Sequence, residues 1–105
     1  MNWMMLIIAG IFEIGWPLGL KLSQQPNSHK WGWILFSIGC MSISGVCLWY
    51  AQKSIPIGTA YAVWTGIGAV GTLLVGILFF QDSASIFRLL SAFLIVVGIV
   101  GLKLF

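Results

Sequence analysis

Charge is what this chain has least of. Five Lys and Arg and two Asp and Glu make up 7% of 105 residues, while 60% are hydrophobic. A soluble domain carries about 25% charged residues, so a water-facing surface is excluded and the chain reads as an integral membrane protein. The formal charge of +3 is spread over five separated basic residues. Such scatter builds no nucleic-acid patch. Histidine occurs once, at His29 in a polar stretch without a second metal ligand beside it, and reads as a loop side chain near lipid headgroups. The two cysteines, Cys40 and Cys47, stand seven apart inside one apolar run. Redox and zinc pairs use closer spacing, so these fit buried thiols. No nucleophile–base pair, metal cluster or extramembrane domain is visible, so an enzyme is the least favoured class and no metal or cofactor is expected. The N-terminus "MNWMMLIIAG" has neither a basic leader nor a small-residue cleavage site, and is expected to continue into structure rather than be removed.

What is present is four long apolar runs. They cover about residues 3–22, 31–50, 57–80 and 86–104, separated by "SQQPNSHK", "AQKSIP" and "QDSAS". Each approaches the roughly 20 residues that cross a 30 Å hydrocarbon core as helix. Backbone polar groups in lipid must bond within their own segment, and the alternating ten-residue segments of a barrel are missing. The expected fold is therefore all-α, a single four-helix transmembrane domain spanning 1–105, with both termini on one side.

Its orientation is poorly specified. One membrane face would hold Lys53 and Lys103, the other Lys21, Lys30 and Arg88. That is little bias for the positive-inside rule to act on, so copies are expected to insert both ways up. Trp3, Trp31, Trp33 and Trp49 lie at span ends, where interfacial indoles are common. Trp16 and Trp64 lie deeper.

The first run contains "GIFEIGWPLG", residues 10–19, and thus a carboxylate, Glu13, in a segment that belongs in lipid. A charge at the bilayer centre costs about 2.5–3.5 kcal/mol on insertion scales. Gly10, Glu13, Trp16 and Pro17 share a helix face by three- and four-residue spacing. Pro17 lacks an amide hydrogen and its ring opposes the Glu13 carbonyl, so a bend and a freed carbonyl are expected there. Gly10 leaves space on the same face. One reading has Glu13 neutral and hydrogen-bonded, joining helices. The preferred reading is functional, because no basic residue lies deep enough to be its fixed counter-ion, which leaves a proton or a cationic substrate. Desolvation disfavours the charged carboxylate, so it would hold a proton until a cation compensates it better. Two ligands competing for one site is the minimal basis of antiport.

Tyr61 and Trp64, on one face of the third run, could offer a hydroxyl donor and an aromatic wall to a planar cation, or simply pack between helices. Ser44 could hydrogen-bond the carboxylate, or its own helix backbone. "GIGAVG", residues 66–71, has the form of a dinucleotide fingerprint but no preceding strand and no acid some twenty positions on. Its glycines are expected to let helices approach, as are Gly98 and Gly101. Transporters often place their site between two inverted repeats. No internal repeat shows here, so a second, inverted chain is expected to supply it, with paired Glu13 side chains at the midplane of an antiparallel homodimer.

Glu13 followed by Trp16, "LGLKLS" at 18–23, "IPIGTAYAVWTGIGAVG" at 55–71 and "GIVGLKL" at 98–104 together resemble the small multidrug resistance family, and within it the guanidinium-exporter branch. The likeness covers all four spans. It implies a dual-topology antiparallel homodimer in the bacterial inner membrane, exchanging protons for guanidinium or small guanidinyl cations. It also implies roles. Glu13 would bind proton and substrate, Trp16 and Ser44 would orient it by hydrogen bonding, Tyr61 and Trp64 would close the site, Gly10 would leave room, and Met41 would line a side opening towards lipid. Two departures stand out: the first loop, "SQQPNSHKWGW", lacks the family's usual stretch and is longer, and Pro17 replaces a small helix-former, which bears on site shape and substrate range. The competing functions are a promiscuous quaternary ammonium exporter and an accessory subunit of a heterodimeric transporter.

Overall fold

The computed structural model describes residues 2–105. They form four helices, α1 (Asn2–Ser23), α2 (Lys30–Ala51), α3 (Ile57–Phe79) and α4 (Ile86–Leu104), and no strands among the described residues. All four are long and apolar enough to cross a membrane. At about 1.5 Å per residue, 22 residues reach about 33 Å, enough for the hydrocarbon core. Polar breaks end each helix locally. Asn27 adopts a left-handed φ of 61° between α1 and α2, and Gln81 does so at 60° after α3. Pro56 stands at the N-cap of α3, and the Ser85 hydroxyl accepts from the Arg88 amide at the start of α4.

α1 is the centre of the arrangement. It packs against both α2 and α3, while the α4 backbone comes close to α3 alone. The result is flattened, 47 × 34 × 17 Å. Lys103 lies 5.5 Å from the Trp3 ring, which brings the C-terminal end of α4 beside the N-terminal end of α1. Asn2 likewise meets Ser54, and Lys53 lies 4.5 Å from the Trp49 ring. Lysines and tryptophans therefore gather at the same helix ends, where an aqueous interface suits both.

Packing is uneven along the helices. The fully buried cluster of Leu6, Ala51, Ile55, Ala60 and Val63 ties the start of α1 to the end of α2 and the start of α3. Glycines permit the closest approaches further along. A Cβ at Gly71 would collide with Ile14 of α1, and one at Gly66 would lie 2.9 Å from Ile99 Cδ1 of α4. The "GIGAVG" glycines are thus contact points, as expected. Gly98 and Gly101 are not: neither has a neighbour within 4 Å in this chain. The outer face of α4 carries Phe87, Leu90, Phe93, Leu94, Val97 and Val100 uncovered. Cys40 and Cys47 are free and buried, with Cys40 seated against Gly15 of α1.

Candidate functional site

The site begins with a proline that does not break its helix. α1 runs uninterrupted through Pro17, at the place where the sequence leads one to expect a bend and a freed carbonyl. Packing on two sides, by α2 and α3, holds the helix in register. What Pro17 does remove is the amide hydrogen that would bond the Glu13 carbonyl, one turn back and next to the carboxylate's own side chain.

Glu13 lies half-buried on the α3 side of α1. Its Cβ and Cγ press on Gly68, where an added Cβ would sit 2.5 Å from Glu13 Cγ. The carboxylate lines a cleft of about 300 Å³ together with Pro17, Thr65, Gly68, Ala69 and Thr72. The four α3 residues follow the i, i+3, i+4, i+7 pattern of one helix face. Glu13 takes part in none of the side-chain hydrogen bonds formed among the described residues. Thr65 Oγ1 donates to the Tyr61 carbonyl at 2.8 Å and so is satisfied within its own helix. No grouping of three metal-type ligands occurs among the described residues.

A second cluster stands beside this cleft. Ser44 is fully buried; its hydroxyl donates to the Ala9 carbonyl at 2.7 Å and accepts from the Trp64 indole Nε1 at 2.8 Å. One hydroxyl thereby links α2, α1 and α3. Tyr61 sits next to Trp64, ring centroids 5.5 Å apart and planes tilted by 58°, and its side chain is largely exposed.

Several expected contacts are replaced by others in this chain. Ser44 bonds Ala9 and Trp64 instead of the Glu13 carboxylate, because a buried hydroxyl between three helices meets a backbone carbonyl first. Trp16 makes its hydrogen-bonded contact through the backbone: its carbonyl accepts from Ser37 Oγ at 2.9 Å. The space at Gly10 is taken by Ile67, whose Cγ2 would lie 2.6 Å from a Cβ there; the glycine brings α3 closer and leaves no vacancy. Met41 is exposed on α2. Thr65, Ala69 and Thr72 were not singled out by sequence reasoning, and Gly68 was expected only as a helix contact. Their signal was present in the four-residue spacing from Tyr61 to Thr65 to Ala69, followed by the three-residue step to Thr72.

Chemically, the arrangement offers one carboxylate with free lone pairs, flanked by small and hydroxyl-bearing residues in an otherwise apolar setting. That suits a small cation or a proton better than a bulky apolar ligand. Comparison with known proteins points the same way. The model of the family described as Small Multidrug Resistance protein matches residues 1–95. A protein from Proteus vulgaris named "Guanidinium exporter" is 49% identical over 104 residues, covering 99% of this chain and 98% of its own length. One of the same name from Yersinia pestis has the same identity and coverage. Another from Salmonella typhimurium strain LT2 is 49% identical over 99% of this chain and 97% of its own.

Proposed function

The chain belongs to the small multidrug resistance family, a family of membrane transporters and not of enzymes, and on that premise we propose that it exports guanidinium and small guanidinyl cations in exchange for protons. The observation that carries this reading is the Glu13 carboxylate, which lines a cleft and engages no hydrogen-bond donor among the described residues. An acid in lipid is tolerated when something neutralises it. Here the neutralising partner is mobile. A proton or a guanidinium ion occupies the site, never both, and that exclusion couples their movements in opposite directions.

Guanidinium is planar and donates along its edges, matching a carboxylate with charge-assisted hydrogen bonds. Hydroxyls at Thr65 and Thr72 line the same cleft. Tyr61 and Trp64 form the aromatic side of the site, with Trp64 held by Ser44. Pro17 shapes the wall beside Glu13, Gly10 sets the α1–α3 distance, and Met41 faces lipid on α2.

The working unit is an antiparallel homodimer with its two Glu13 carboxylates near the midplane, in the bacterial inner membrane. Two features support a second chain. α4 exposes its apolar face and its open glycines Gly98 and Gly101, and the Glu13 cleft is walled by α1 and α3 alone. Near-balanced lysines at the two ends suit insertion in both orientations.

The test is guanidinium uptake by proteoliposomes holding the purified chain alone, driven by a pH gradient, with Glu13→Gln as control. Uptake by the natural chain and none by the variant is the expected result. A response to tetraphenylphosphonium without one to guanidinium would reassign the substrate to quaternary cations. Silence towards every cation from a properly assembled dimer would make the chain a subunit requiring a different partner.

A further inference from the structure

The Glu13 cleft does not end at Thr72. A second cavity of about 270 Å³ continues from it towards the C-terminal ends of α1 and α3, lined by Ile14, Leu18, Lys21, Val75, Gly76, Phe80 and Asp82 as well as Pro17 and Thr72. Pro17 and Thr72 belong to both cavities and therefore stand where they join. From Glu13 to Lys21 the helix rises about 12 Å, most of the about 15 Å from mid-span to the membrane–water boundary. Towards the other end of the helices stands the buried cluster around Leu6, Ala60 and Val63, and none of its residues lines either cavity.

Asp82 is placed at this mouth by the chain itself. Gln81 turns left-handed, the Asp82 amide bonds the Gly76 carbonyl at 3.0 Å, and the carboxylate folds back over Gly76, where any Cβ would strike its Oδ2. A carboxylate at a helix C-terminus faces the negative end of the helix dipole. Position and dipole together make a locally negative spot. Around it stand Lys21 on the facing α1 wall and, at the same end of the helices, Lys30 and Arg88. Asp82 and Glu13 are the only two acids in the sequence. Without Asp82 an arriving cation would meet a purely positive rim. Along the route, the Thr72 hydroxyl takes part in no hydrogen bond among the described residues, whereas Thr65 is tied to its own helix.

The geometry points to Asp82 as an outer recruiting site for guanidinium, from which the cation passes Thr72 and Pro17 to reach Glu13. This rests on the transport function proposed above and adds to it a second binding position and a direction of entry. At Asp82 the ion displaces water and competes with the Lys21 ammonium. At Thr72 it keeps one hydroxyl partner while it sheds the rest of its hydration. Steering of this kind acts on capture and is screened by salt.

Guanidinium transport by the reconstituted chain, measured as KM and maximal rate at low and high ionic strength, tests the assignment. Asp82→Asn is expected to raise KM about three- to tenfold at low salt, with the difference collapsing at high salt and the maximal rate moving less than about twofold. Lys21→Gln is expected to lower KM, with the same salt dependence. The pair protects the test: should Asp82→Asn fail to assemble because its loop packs on Gly76, Lys21→Gln alone decides by whether KM falls. An unchanged KM in whichever of these variants assembles overturns the recruiting role while leaving Glu13-dependent transport intact. A natural chain that moves no guanidinium overturns the transport function and this role with it.

Discussion

Gly68 and Glu13 are in contact across the α1–α3 interface: the acid's Cβ and Cγ occupy the space that a side chain at 68 would need, with an added Cβ 3.1 Å from Glu13 Cβ and 2.5 Å from its Cγ. The glycine therefore does more than bring two helices together. It fixes which way the carboxylate leaves the helix, into the cleft shared with Thr65 and Thr72.

Gly68→Ala should consequently displace the acid rather than the fold. One methyl group in an occupied space costs about 1–3 kcal/mol when the surroundings cannot give, and here the Glu13 side chain can rotate. Guanidinium flux in proteoliposomes is expected to drop at least about tenfold, since each 1.4 kcal/mol is a factor of ten, while the elution position on size-exclusion chromatography stays that of the natural chain. Flux equal to that of the natural chain would show that Glu13 is positioned by something else.

Ser44→Ala should act on stability first. It removes the donor to the Ala9 carbonyl, which keeps its bond within α1, and the acceptor for the Trp64 indole, leaving that part-buried N–H unpaired. Leaving one such group unpaired costs about 1–3 kcal/mol, so a fall in thermal midpoint in detergent is expected, with a shift in tryptophan emission. In a double-mutant cycle with Trp64→Phe the two losses should be less than additive, because they share a bond. Strict additivity would remove the link.

Acidity should oppose cation binding at one residue. If the two ligands exchange at Glu13 as proposed, guanidinium affinity is expected to weaken as pH falls and to recover as pH rises. Glu13→Gln is expected to abolish both binding and its pH dependence in an equilibrium titration. Cation affinity that ignores pH in the natural chain would separate the two ligands and end the exchange scheme.

Insertion should be two-sided. A C-terminal tag is expected on both membrane faces, and adding two arginines within residues 52–56 should drive it to one face and cut transport, since inverted partners become scarce. Restoring flux by co-expression with a chain biased the opposite way completes the check.

Much of the fold was legible from the distribution of charge. Four apolar runs and three polar breaks leave a helical membrane protein few alternatives, and the glycines of "GIGAVG" announced close approach, which Gly66, Gly68 and Gly71 deliver. Glu13 was legible for a related reason: it breaks the pattern. Its surroundings were harder to read. Spacing places Gly10, Trp16 and Pro17 near the acid, but which neighbour fills a space is decided by another helix. Ile67 occupies the position beside Gly10, and Ser44 is captured by Ala9. Thr72 and Asp82 drew no attention because each is ordinary in its own segment, and only the meeting of α1 with α3 gives them a shared cavity.

The tight knot of Leu6, Ala51, Ile55, Ala60 and Val63 at one extremity has a mechanical consequence. Were α3 to tilt about it, the remainder of that helix would be the arm. From Ala60 to Phe80 that arm measures about 30 Å, so a tilt of about 5° sweeps its far tip through about 3 Å, close to the width of a water molecule. A small repacking at that extremity would thereby be magnified at the cavity mouth beside Phe80 and Asp82.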